Sequence, residues 1–130
     1  MNKVFVYGTL KRGLHNHAYI DLSDGEFISD AVSVENRVLY SQHGLPYYQI
    51  PAPSDADLVT RKVGGELYEV DHFLQLDSLE GHPHHYTRVR DKFINTTSGE
   101  EVEAWVYKQT MYHIPDDSEM LYIYDPNEIV

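Results

Sequence analysis

Glu80 and the loop Gly8-Thr9-Leu10-Lys11-Arg12-Gly13 are the two places in this sequence where residue type and spacing point to chemistry. Glu80 lies four residues after Leu76 and seven after Phe73, which places it on the core-facing side of a helix. It also falls in the last turn before Gly81, where the helix dipole disfavours a negative charge. Burial and dipole both raise a carboxyl pKa toward neutrality, where it can exchange protons with a substrate. The alternative is a structural ion pair with Arg88 or Arg90, which would keep Glu80 ionised.

The glycine loop follows the apolar run Lys3 to Tyr7, which reads as a buried strand. Glycine lets the backbone turn sharply and approach a ligand, so successive N–H groups can converge on an anion such as a carboxylate. The spacing from Gly8 to Gly13 equals the first half of a P-loop, but Leu14-His15 stands where Lys and Ser or Thr must follow. That argues against a nucleotide triphosphatase and leaves either an anion-binding loop or a plain strand-ending turn.

Histidines cluster beside both places, with His15 and His17 after the loop and His82, His84 and His85 after Glu80. His with a nearby carboxylate can bind zinc or iron, but His82-Pro83-His84 lacks the helical HExxH spacing. Adjacent His84 and His85 would point apart in an extended chain, so solvated loop histidines are expected and no metal site. No Gly-x-Ser-x-Gly elbow supports a serine nucleophile, and the absence of cysteine excludes thiol chemistry and zinc–thiolate sites.

The elements that must hold these groups are mostly strands. Phe27 to Tyr40 contains strand-like segments, and Gly44 to Pro53 reads as a loop, with three prolines and the adjacent Tyr47 and Tyr48, able to line a pocket. Gly65 to Val70 alternates as a strand ending at Asp71, a candidate N-cap for a helix running to Glu80 and closed by Gly81 and Pro83. Tyr86 to Ile94 and Glu101 to Lys108 form a hairpin turned at Ser98-Gly99, with Val102, Ala104 and Val106 on its apolar face. The tyrosines, 11 in all, are expected as half-buried sheet residues. The fold class expected is α+β, a mixed, largely antiparallel sheet curled into a small barrel with one or two packed helices, in a single domain over residues 1–130.

Composition narrows the partners. A net charge of -11 would repel a phosphate backbone, so nucleic acid is excluded as a partner. No apolar run approaches the roughly 18 residues needed to span a bilayer, and the first ten residues are too short and polar for a signal peptide. A cytoplasmic protein without a membrane partner is therefore expected.

Val4-Phe5-Val6-Tyr7-Gly8-Thr9-Leu10-Lys11-Arg12-Gly13, then Gly65-Glu66-Leu67-Tyr68, then Leu76-Asp77-Ser78-Leu79-Glu80-Gly81 with Tyr86-Thr87-Arg88, resembles the γ-glutamylcyclotransferase-like family. The likeness is strongest to its γ-glutamylamine cyclotransferase branch and runs from about Lys3 to Tyr107. The resemblance implies that backbone N–H groups of Gly8, Thr9 and Leu10 bind the glutamyl α-carboxylate. Tyr7 and Tyr86 are implied as further substrate contacts, and Glu80 as the acid/base. The reaction implied is attack of the substrate's α-amine on its own γ-carbonyl, releasing 5-oxoproline and an amine or amino acid without a cofactor. This chain departs from the family pattern at His82 to His85 and in a polar insertion from Ser54 to Lys62, both expected at the pocket mouth. A non-catalytic small-molecule binding module on the same fold, and a His/Glu metal enzyme, are the alternatives.

Overall fold

A computed structural model describes residues 2–42, 44–55, 60–116 and 119–123. The elements run β1 (Asn2–Val6), α1 (Ala18–Leu22), β2 (Glu26–Ser33), β3 (Val38–Gln42), β4 (Leu45–Gln49), β5 (Gly64–Val70), α2 (Leu74–Glu80), β6 (Tyr86–Asn95) and β7 (Glu101–Gln109). Five strands close into a barrel in the order β1-β5-β2-β6-β7, while β3 and β4 form a separate two-stranded sheet. The barrel closes where β1 lies parallel to β7 at Val4 and Trp105, and its other neighbouring strands are antiparallel. Closure leaves these strands no unpaired edge. The expected α+β barrel with packed helices is therefore observed.

Alternation along β1 divides its side chains between two apolar clusters. Phe5 joins Ala31, Leu67, Phe93, Ala104 and Val106, so all five barrel strands meet in one cluster. Val4 and Val6 join Tyr68, Ile20 of α1 and Leu76 of α2 in the other, which fastens the helices to the barrel. Fully burying side chains of this size stabilises by roughly 1.5–3 kcal/mol each relative to exposure. The expected β6–β7 hairpin forms, its register running from Tyr86 opposite Gln109 to Ile94 opposite Glu101. In its turn the Asn95 side-chain oxygen accepts the N–H groups of Thr97 and Ser98.

Three local expectations are corrected. The stretch from Gly44 to Pro53, expected as a loop, contains β4, which pairs with β3 from Val38 opposite Gln49 to Gln42 opposite Leu45. Its adjacent tyrosines serve opposite faces: Tyr47 enters the cluster with the helices and Tyr48 the cluster fed by the barrel strands. Asp71 does not cap α2, because its N–H donates to the Ser23 carbonyl and its own carbonyl accepts from Asn2. The helix starts later, with the Phe73 carbonyl accepting the Asp77 N–H at 2.7 Å. Nor are the tyrosines mostly half-buried: Tyr7, Tyr40, Tyr47, Tyr48, Tyr68, Tyr86 and Tyr107 are buried. Each hydroxyl that goes inside needs a partner, and carboxylates or carbonyls supply several of them. Helix α1 is too short to carry a helical repeat, and Ile20 is its sole buried residue. No helix among the described residues is long and apolar enough to cross a membrane.

Candidate active site

Helix α2 delivers Glu80 to the end of the barrel. Leu76 is fully buried, Phe73 and Leu79 pack against the same cluster, and the helix stops directly after Glu80. Gly81 ends it in the left-handed region, at φ 66° and ψ 36°, while the His82 N–H reaches back to the Asp77 carbonyl. Glycine takes that backbone conformation without steric penalty. Glu80 is therefore held in the last turn, partly buried, on the wall of a cavity of about 200 Å³. Its carboxyl makes no hydrogen bond or ion pair among the described residues. Burial without compensation pushes it up to about 7. The alternative ion pair does not form, because Arg88 pairs with Asp77 and Arg90 with Glu103.

Gly8, Thr9 and Leu10 line the same cavity. The loop closes on itself through Lys11 N–H to Gly8 carbonyl at 3.1 Å and Asn16 N–H to Thr9 carbonyl at 3.1 Å. Asn16 also donates its side-chain amide to the Thr9 hydroxyl at 2.8 Å, and the His17 ring meets the Leu10 carbonyl at 2.8 Å. The N–H groups of Gly8, Thr9 and Leu10 have no acceptor among the described residues. Gly8 is needed for a reason other than a special turn: a Cβ there would lie 2.8 Å from the Pro46 ring. The β3–β4 hairpin thus presses directly onto the loop.

Tyrosines form much of the remaining wall. The Tyr7 hydroxyl donates to the Tyr107 carbonyl, Tyr86 to the Pro46 carbonyl at 3.1 Å, and Tyr107 to Asp77 Oδ1 at 2.6 Å. Burial pushes all three hydroxyls up, and proximity to Glu80 adds to the rise, so they remain protonated donors. Leu45, Pro46 and Leu79 supply apolar surface, and the exposed His85 stands edge-on to Tyr86 at the rim. Such a site can hold a small molecule by an anionic group at the loop and exchange a proton with it at Glu80.

The family model described as "Gamma-glutamyl cyclotransferase, AIG2-like" matches residues 4–125. The chain belongs to this family. A relative from Methanocaldococcus jannaschii is 37% identical, over 82% of this chain and 83% of its own. The gamma-glutamylaminecyclotransferase of Rattus norvegicus is 32% identical, over 86% of this chain and 80% of the rat protein. The crystal structure of an AIG2-like protein from Mus musculus superposes with a TM-score of 0.75 at 30% identity, covering 96% of this chain and 88% of that one. The gamma-glutamyl cyclotransferase family match extends past Tyr107 into the last segment, where Leu121 donates its N–H to the Leu39 carbonyl.

The six site residues singled out in the sequence, Tyr7, Gly8, Thr9, Leu10, Glu80 and Tyr86, all line this one cavity. Of the histidine stretch, His85 reaches the rim; His82 instead accepts the Arg88 N–H through Nδ1 at 3.0 Å. Among the described residues no group of three His, Asp or Glu could hold a metal ion. In the polar insertion expected at the pocket mouth, residues 56–59 lie outside the described residues, and Ser54, Asp55 and Thr60 to Lys62 do not line the cavity. Tyr107 and Asn16 were not legible as wall residues. Tyr107 shares its face of β7 with Glu101 and Glu103, a pattern that reads as the solvent face until the helix covering its end is known.

Proposed function

We propose that this chain cyclises a small γ-glutamyl substrate, a γ-glutamylamine or γ-glutamyl amino acid, to 5-oxoproline and the free amine. The observation that carries this reading is a carboxyl with a pKa raised to about 7, unpaired among the described residues, in the same cavity as three adjacent residues whose N–H groups have no acceptor among the described residues. The α-carboxylate sits on the N–H groups of Gly8, Thr9 and Leu10, which turns the α-amine toward the γ-carbonyl. Glu80 takes a proton from the attacking ammonium as the new C–N bond closes the five-membered ring. It then hands a proton to the leaving nitrogen as the original C–N bond breaks. Atoms balance without water, metal or cofactor, because substrate and products differ only in connectivity.

Tyr7 and Tyr86 flank the reacting chain, and their hydroxyls stay protonated, so proton transfer near neutral pH falls to Glu80 rather than to a tyrosine. The test is incubation with a panel of γ-glutamylamines and γ-glutamyl amino acids, with 5-oxoproline measured. Release from at least one class supports the proposal. Tight binding of γ-glutamyl compounds without release from any would make the chain a binding module instead.

A further inference from the structure

Glu66 of β5 is a buried carboxylate, 9% exposed, to which the chemistry above gives no part. Its Oε1 accepts the backbone N–H of Arg12 at 2.9 Å and the Tyr68 hydroxyl at 3.0 Å. Its Oε2 accepts Nε of the same Arg12 at 3.2 Å. The guanidinium is laid over the Phe27 ring, 3.8 Å from its centroid, and lies 3.6 Å from Asp30. Arg12 is thus gripped by main chain and side chain together, in the second half of the loop that begins at Gly8.

The N–H groups of this loop differ in their partners. Those of Lys11 and Leu14 close turns within the loop, and that of Arg12 leaves it for Glu66. Those of Gly8, Thr9 and Leu10, residues that line the cavity, have no acceptor among the described residues. A backbone segment can converge several N–H groups on an anion only while its turn is held, and here one hold comes from a side chain 54 positions away. A lone buried carboxylate near an anion site would also repel the ligand. The guanidinium of Arg12 opposes that charge, so Glu66 can fix the loop without spoiling it for an anion.

We propose that Glu66, paired with Arg12, is a positioning residue for the carboxylate-binding loop. It touches no reacting atom; it sets the loop so that the first three N–H groups meet the ligand's carboxylate. The proposal rests on the reading of Gly8 to Leu10 as the α-carboxylate site.

The experiment compares two rings of the same size, 5-oxoproline and 2-pyrrolidinone, the second lacking the carboxylate, by equilibrium titration of the full chain. The unaltered protein should prefer 5-oxoproline. Glu66→Ala should weaken 5-oxoproline by about tenfold or more, the scale of a lost charge-assisted contact, and leave 2-pyrrolidinone nearly unchanged. With substrate it should raise KM far more than it lowers kcat. Glu66→Gln, which keeps an oxygen for the Arg12 N–H, should recover part of the preference. Arg12→Ala, which keeps the backbone N–H, supplies a second route to the same loss should Glu66→Ala fail to fold. If the unaltered protein does not prefer 5-oxoproline, the carboxylate-site reading and the proposal fall together. If it does, and the folded Glu66 and Arg12 variants keep the full preference, the proposal alone is overturned.

Discussion

Arg88 reaches from β6 to Asp77 of α2 with two bonds, Nε to Oδ1 at 2.9 Å and Nη2 to Oδ2 at 3.2 Å. The guanidinium packs against two aromatic rings, 4.1 Å from the Phe73 centroid and 4.5 Å from that of Trp105. Asp77 also accepts the Tyr107 hydroxyl, so one carboxylate joins α2 to both strands of the hairpin. Burial alone would push Asp77 up, but hydrogen bonds from Arg88 and Tyr107 bring it below the usual carboxylate range. Three residues on, Glu80 has no such partner and moves the other way. Neighbouring carboxyls on one helix are thus driven apart, one held as an anion and the other raised toward neutrality, as the proposed acid/base role of Glu80 requires.

Replacing Arg88 by Ala should therefore cost stability. The pair is only partly exposed, and loss of one partner of a bidentate, stacked pair should remove about 1–3 kcal/mol. Arg88→Lys should recover a minority of it, because an ammonium cannot span both carboxylate oxygens. Thermal unfolding of the three proteins at pH 7 checks the order. For Asp77, whose folded pKa is lowered, the contribution is present above the unfolded value of 3.8 and is lost as pH falls through the folded value. The gap between unaltered protein and Arg88→Ala should accordingly narrow in acid.

Gly8→Ala tests the contact between loop and hairpin. The added Cβ would lie 2.8 Å from the Pro46 ring, so either the loop or β4 must shift. Overpacking of this kind typically costs about 1–3 kcal/mol. Because the displaced segment carries the proposed carboxylate site, KM for a γ-glutamyl substrate should rise along with the loss in melting temperature. An unchanged KM in a folded variant would separate Gly8 from ligand binding.

Much of this site was legible because its two halves follow local rules. The Phe73, Leu76, Leu79 spacing gives the buried side of α2, and Glu80 shares it; the glycine after an apolar run gives the loop. What the sequence hid depends on contacts between distant segments. Pro46 argued for a loop, yet β4 tolerates it because the β3–β4 sheet has only two strands and the proline needs no ladder donor toward a further neighbour. Glu66 looked like one position of an alternating strand, and only its approach to Arg12 gives it a role. Asp71 had the right residue type for a cap, but its backbone was already engaged by Ser23 and Asn2.

Turnover should survive chelation. Among the described residues no three His, Asp or Glu converge on a point, His82 uses Nδ1 to accept a backbone N–H, and cyclisation needs only proton transfer. Dialysis against EDTA followed by the 5-oxoproline assay should give unchanged rates. Loss of activity restored by zinc or iron would favour the His/Glu metal enzyme over the cofactor-free cyclotransferase.

Glu80→Gln should cut turnover by roughly a hundredfold or more while leaving ligand binding largely intact, since the amide keeps the shape but cannot carry the proton. Its stability should move in the opposite direction from a lost ion pair. The folded pKa of about 7 lies above the unfolded value of 4.5, so Glu80 favours the folded state fully below pH 4.5 and loses that contribution as pH rises through 7. At pH 8 the ionised, partly buried carboxylate opposes folding by up to about 3 kcal/mol, at about 1.4 kcal/mol per pKa unit. Glu80→Gln should therefore melt at or above the temperature of the unaltered protein at pH 8, with the advantage disappearing near pH 4. The same group predicts that kcat/KM in the unaltered protein rises with pH through about 7, as the general base becomes ionised, and that the variant's residual rate lacks this limb. A variant that is destabilised at pH 8 yet fully active would instead make Glu80 a structural residue and move the acid/base role elsewhere in the cavity.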